Sequence, residues 1–319
     1  MSGGSDQPGM KIGMTAQPAI VLEHRGLLRA SGPDARSFLQ GIITNDVEQV
    51  SHHRAIWSAL LTPQGKFLHE FFVLQEKESD RDTLLIDCEL ARREDLKRRL
   101  SIYKLRSDVT LDVVSEEIVI VAFPGIESLD RLDLPPKAGA ACALAAGLAY
   151  TDPRLAALGA RAILPRQDLP ALLDSRGFVL DDLAAYDRVR IPLGIPDGSR
   201  DMEIDKSILL ECGFDELRGV DWDKGCFLGQ ELTARTKYRA LIKKRLLPVR
   251  IEGEAPPPGT ALTMDGKEVG VMRSSSDGQG LALLRLQQSG VADITDGEGP
   301  SLEAEGSRII PKKPDWAVF

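Results

Sequence analysis

The apolar positions change period repeatedly along the first third of the chain. Ala19 to Ala30 predicts a strand, with Ile20, Val21 and Leu22 leading into Gly26-Leu27-Leu28. Ser31-Gly32-Pro33-Asp34 predicts a helix start, because Ser31 can cap and Pro33 suits the first turn. Phe38 and Leu39 then face inward and Gly41 stops the helix. Thr44-Asn45-Asp46 forms a cap or turn before Val47 and Val50. Ala55 to Thr62 and Phe67 to Gln75 read as strands around a Pro63-Gln64-Gly65-Lys66 turn. Asp82 to Cys88 is a further strand. Glu89 to Leu105 has Leu90, Leu96, Leu100 and Tyr103 at helical spacing, and Val109 to Val114 returns to strand. The order β-α-β-β-β-α-β predicts an α+β layer, helices on an antiparallel or mixed sheet.

The middle of the chain is less regular. Pro124 to Ala149 reads as loop-rich. Gly159 to Leu164 is a short strand, and Asp168 to Arg176 and Asp181 to Arg190 are helices separated by Gly177 to Leu180. Pro192 to Ser199 is a Pro/Gly-rich loop, and Gln230 to Tyr238 a helix. Beyond Lys244 the pattern shortens to strands at 246–251, 261–264, 267–273 and 280–286, with hairpin turns at Asp265-Gly266 and Asp277-Gly278. This portion reads as a small antiparallel barrel or sandwich. The expected division is a disordered leader (1–18), an N-terminal α+β domain (19–115), a second α+β domain (116–242) and a C-terminal β-barrel (243–319).

Length and charge narrow the function classes. The 319 residues leave room for two or three domains. No apolar run reaches the roughly 20 residues of a membrane span. The first residues resemble neither a signal nor a transit peptide, so the reduced cytoplasm is the expected compartment. The net charge of −8 argues against a general nucleic-acid binder. Yet Lys224 to Arg250 holds eight basic residues and one acid, Glu231, which reads either as a solvated helix face or as an anion site.

Candidate chemistry centres on Lys224-Gly225-Cys226-Phe227-Leu228-Gly229-Gln230-Glu231. It sets a thiol between two glycines, beside a lysine and ahead of a helix, a setting that favours thiolate. Cys88, Cys142 and Cys212 read as core or surface residues. No cysteine pair has metal-site spacing. Arg235 is either an anion ligand or the i,i+4 partner of Glu231.

These eight positions resemble the signature of the YgfZ-type folate-binding proteins, iron–sulfur cluster assembly factors related to the glycine cleavage T-protein (aminomethyltransferase). Phe38-Leu39-Gln40-Gly41 with Thr44-Asn45-Asp46, Leu61 to Lys66, Asp152-Pro153-Arg154 and Gly194-Ile195-Pro196 look like further family motifs. The resemblance covers about residues 19 to 290. It implies an α+β ring of three domains, the last a barrel, around a central pocket for tetrahydrofolate or a derivative. It also implies a folate side lined by Thr44, Asn45 and Asp46, with Arg190, Lys224, Gln230, Glu231 and Arg235 as further cofactor-binding candidates, and Arg188 in the same arginine region. Because an iron–sulfur cluster generally takes four protein ligands, the resemblance implies no metal held by this chain alone, with Cys226 a possible shared ligand of a transient cluster held with a partner. Implied partners are iron–sulfur assembly proteins and client cluster enzymes, including those that modify tRNA; direct tRNA binding is the weakest reading. One departure stands out. The T-protein has paired aspartates where this chain has His69-Glu70, and strand alternation turns one of these two away from any pocket. This leaves an accessory factor as the leading expectation and an aminomethyltransferase-like one-carbon transferase as the rival.

Overall fold

The computed structural model describes residues 16–76, 82–144, 147–239, 242–294 and 297–319. Most of the expected leader lies outside the described residues. Its last three positions do not: Ala16 is described, and strand β1 (Gln17–Val21) already includes Gln17 and Pro18. The stretch expected as one strand is two. β1 and β2 (Arg25–Ser31) enter different sheets, separated by a turn in which the Arg25 amide donates to the Leu22 carbonyl at 2.9 Å.

The first sheet has the order β3-β4-β5-β2-β6, with β3 (Ile56–Leu61), β4 (Phe67–Gln75), β5 (Leu84–Glu89) and β6 (Thr110–Val113), all pairs antiparallel. Helix α1 (Ala35–Gln40) and helix α2 (Arg93–Tyr103) cover one face of it through Phe38, Leu39, Leu96 and Leu100. Asp34, not Ser31, takes the cap position of α1, and its side chain makes no capping bond there.

The second sheet has the order β11-β1-β7-β10-β9-β8. Its strands are β7 (Ile118–Pro124), β8 (Ala141–Leu144), β9 (Gly147–Thr151), β10 (Gly159–Pro165) and β11 (Phe178–Leu180). Only β1–β11 is parallel. The segment read as loop-rich thus holds β8, β9 and helix α3 (Glu127–Arg131). Helices α3 and α4 (Leu169–Arg176) cover the outer face through Leu129, Leu169 and Leu173.

The inner faces of the two sheets share one core. Trp57, Phe67 and Phe72 from the first meet Ile120, Tyr150 and Ile163 from the second, with Tyr186 of helix α5 (Leu183–Arg190) and Phe214. Every residue of β4 is consequently buried, because each face of its sheet is covered. After helix α6 (Gly198–Asp201) and helix α7 (Gln230–Tyr238) come six strands that close a barrel: β12 (Lys244–Glu252), β13 (Ala261–Met264), β14 (Lys267–Ser276), β15 (Gln279–Arg285), β16 (Leu302–Ala304) and β17 (Ser307–Pro311). Both predicted hairpin turns have positive φ at each central residue: Asp265 +51° and Gly266 +73°, Asp277 +46° and Gly278 +73°. That is the geometry that matches strand twist. Arg245 ties the barrel to the middle of the chain, donating to the Leu210 carbonyl at 3.0 Å and pairing with Glu216 at 2.7 Å.

Candidate functional site

The segment before α7 is held at both ends. At its start, the Lys224 ammonium donates to the carbonyls of Gln40 and Ile43, 2.6 Å each, where α1 ends. Burial lowers its pKa to about 8, against the pull of Asp46 and Asp221. The lysine expected to sit beside the thiol is thus turned instead to carbonyls at the end of α1. At the other end, Gly229 packs on the β3–β4 hairpin. A Cβ on Gly229 would lie 2.5 Å from the Thr62 carbonyl oxygen, and one on Gly65 would lie 3.1 Å from the Gly229 oxygen. Two glycines widely separated in sequence therefore let two motifs meet backbone to backbone. Gln230 closes the loop by donating to the Gly225 carbonyl at 3.2 Å. Phe227 is buried as the anchor, and Cys226 beside it is exposed. Cys88 and Cys212 are buried, with thiols pushed up by burial to about 12 in Cys88, and upward as well in Cys212. Cys142 is half-buried.

The segment that precedes this loop lines a cavity of about 360 Å³, to which Cys226 itself contributes no lining. Asn45, Gln49, Arg54 and Trp57 lie on or beside the first sheet, Ala138 and Pro153 beside the second, and the 215–223 segment supplies Asp215, Arg218, Asp221, Trp222 and Asp223. Grooves of about 540 and 550 Å³ run beside Ile242 and Leu286 at the barrel; Asp215, Lys237 and Arg245 line the first, and Lys243 and Lys244 of the same basic run line the second. Of the candidate site residues, Asn45 alone lines the smaller cavity. Its amide nitrogen donates to the carbonyls of Trp57 and Arg218, 2.7 Å each, and so stitches two cavity walls together. Thr44 is fully buried behind it, donating to the Gly219 carbonyl at 2.7 Å and accepting from the Ala59 amide at 2.9 Å. Asp46 caps the turn that follows, accepting from the Glu48 amide at 3.1 Å and from Gln40 at 2.8 Å.

The remaining candidates lie elsewhere. Arg190 is buried against Asp187 (2.6 Å), Asp201 (2.8 Å) and the Ile195 carbonyl (3.0 Å), so it braces α5 and α6. Arg188 is on the surface, 3.4 Å from Asp277 of the barrel. Arg235 and Glu231 pair with each other on the exposed face of α7 at 2.8 Å, the i,i+4 reading of these two residues. Glu70 points inward and its carboxylate is taken by Arg25 and by the Trp57 indole N–H (2.6 Å). His69 points outward, 3.0 Å from Asp95 of α2. The sequence did not flag Arg54, Arg218 or the 221–223 wall, since no periodic pattern marks a loop that closes a cavity. The one usable signal was Asp152-Pro153-Arg154, which puts Pro153 on the wall.

Two covered sheets, a closed barrel and a glycine-fixed thiol loop define a protein of the aminomethyltransferase fold. The aminomethyltransferase T of the glycine cleavage system from Bartonella henselae superposes with a TM-score of 0.71 over 95% of this chain and 87% of its own, at 16% identity. Residues 243–319 match the family described as the CAF17 C-terminal beta-barrel domain. The human mitochondrial iron–sulfur cluster assembly factor IBA57 is 35% identical over 312 residues, covering 92% of this chain and 84% of the relative. Its mouse counterpart is 34% identical over 316 residues, with the same coverage. The chain belongs to the IBA57 family of iron–sulfur cluster assembly factors.

Proposed function

We propose that this chain supports assembly or repair of iron–sulfur clusters in client enzymes, tRNA-thiolating ones among them, by offering Cys226 to a cluster carried by an assembly partner. The observation that carries this reading is the exposure of Cys226, alone among the four cysteines, on a loop fixed at both ends. No group of metal-ligating side chains occurs among the described residues, so the partner supplies the other ligands. The cluster is cargo, not a resident group.

A reduced folate in the cavity completes the proposal. The free polar groups there, guanidiniums at Arg54 and Arg218 and a carboxylate at Asp223, suit a ligand with hydrogen-bond donors at one end and acids at the other. When bound, such a ligand supplies a reduced pterin. Aminomethyl transfer is the weaker reading, because Glu70 is committed to Arg25 and Trp57. Direct tRNA binding is weaker too. Much of the basic run is paired internally: Arg235 with Glu231, Lys237 with Asp215, Arg245 with Glu216, Arg250 with Glu298. Among the described residues no helix is long and apolar enough to cross a membrane. The cytoplasm remains the proposed compartment, while the named relatives are mitochondrial.

The test is Cys226→Ala in a strain lacking the native gene. An exposed side chain should cost under about 0.5 kcal/mol of stability, while cluster-enzyme activities stay at the deletion level. Full complementation by the variant overturns the cluster role.

A further inference from the structure

The mouth of the cavity carries charge that the fold does not consume. Arg54 and Arg218 both line it and both are exposed. Among the described residues neither guanidinium has an acidic partner. The acids nearby are otherwise engaged: Asp215 accepts from the Trp222 indole at 2.6 Å and Lys237 at 3.1 Å, and Asp221 accepts from Gln49 at 2.7 Å. Of the three lining aspartates, only Asp223 has no side-chain hydrogen bond or ion pair among the described residues.

The backbones that bear the two arginines are pinned. Arg54 exchanges both backbone hydrogen bonds with Ser51, 3.0 Å each, and bridges Ala140, just before β8 of the second sheet. Arg218 has φ +61°, a left-handed conformation that costs a residue with a Cβ about 1–2 kcal/mol. Asn45 holds the Arg218 carbonyl, Thr44 holds that of Gly219, and the Asp221 amide donates back to the Thr44 carbonyl at 3.0 Å. The motif expected on the folate side also secures the strained turn carrying Arg218. Strain of this kind persists where surrounding contacts over-determine it, and it gathers at ligand clamps.

We infer that Arg54 and Arg218 form a subsite for the carboxylate-bearing tail of the cavity's ligand, with Thr44 and Asn45 as positioning residues. The inference rests on the folate reading for the ligand's identity. It makes that ligand a reduced folate with an oligo-γ-glutamyl tail, since several carboxylates can engage both guanidiniums at once.

Calorimetric titration of the full chain tests this with three probes: 5-formyltetrahydrofolate, its pentaglutamate, and the γ-glutamyl pentapeptide without pterin. The pentaglutamate is expected to bind about tenfold tighter than the monoglutamate, and Arg54→Gln with Arg218→Gln together should abolish that advantage. Circular dichroism should show both variants folded, because both side chains are exposed. Equal affinity for the two folates, or an advantage untouched by the double variant, overturns the tail subsite and leaves the folate reading standing. Arginine-dependent binding of the peptide, with neither folate bound, overturns the folate reading and keeps the anion site. Silence from all three probes overturns both.

Discussion

Gly225 and Gly229 share a positive φ, +93° and +81°, but not their surroundings. A Cβ on Gly225 would meet nothing within 4 Å, whereas one on Gly229 would collide with the Thr62 carbonyl oxygen. Gly225→Ala should therefore cost only backbone strain, about 1 kcal/mol. Gly229→Ala adds a clash with backbone that cannot rotate away, so a loss of about 2–4 kcal/mol is expected in urea denaturation. Equal losses for the two would mean that the hairpin does not seat the thiol loop. The glycines were legible in the sequence as bends near a cysteine. Their different tasks were not, because the second depends on Gly65 and Thr62 in another motif. The same holds for Lys224. Its adjacency to Cys226 in sequence suggested thiolate stabilisation, and its long side chain turns instead to carbonyls at the end of α1.

At the scale of elements, β4 shows what periodicity reveals and what it hides. Its bounds, Phe67–Gln75, and those of α7, Gln230–Tyr238, coincide with the reading of the sequence. Alternation also sorted His69 from Glu70. β7 was not recognised: Ile118 to Phe123 is a continuous apolar run with no alternation, as befits a strand covered on both sides. β8 and β9 hid in an alanine-rich stretch, and β11 and β16 have three residues each. The outward His69 also makes a pH prediction. Burial first, then the Arg92 charge, lowers its pKa to about 4, with Asp95 opposing. Between pH 6.5 and 4 the unfolded chain binds a proton that the folded one refuses, so stability rises with pH in that window and falls on acidification. The loss from pH 7 to pH 5 attributable to this residue is about 2 kcal/mol. Denaturation of His69→Gln should show a flatter profile over that range, and a slope equal to that of the parent chain would remove His69 as the cause.

At the scale of the whole molecule, the two sheets are joined by charge as well as by apolar contact. Asp87 on β5 accepts from Arg25 at 2.7 Å within its own sheet, and from Arg161 (3.1 Å) and Tyr150 (3.2 Å) on the opposite one. Arg161 also reaches the Tyr186 hydroxyl at 2.9 Å, which Arg154 meets at 2.8 Å while gripping Asp152 at 2.7 Å. The guanidiniums of Arg161 and Arg154 lie over the Phe72 ring at 4.2 and 5.0 Å. All these groups are buried. Such a network adds little stability over an apolar core of the same shape, but removing one member strands the others without solvent. Asp87→Asn should thus cost about 3–5 kcal/mol, because it deletes the charge and turns one acceptor oxygen into an NH2 donor that faces donors. Arg161→Met should cost a similar amount. In the double variant the two losses should fall well short of additive, because Arg161 is the cross-sheet partner whose isolation makes the first change expensive. A double-mutant cycle by urea denaturation measures this coupling. A coupling near zero would mean that the sheets are held by their apolar faces alone, and that the polar centre between them only fills space.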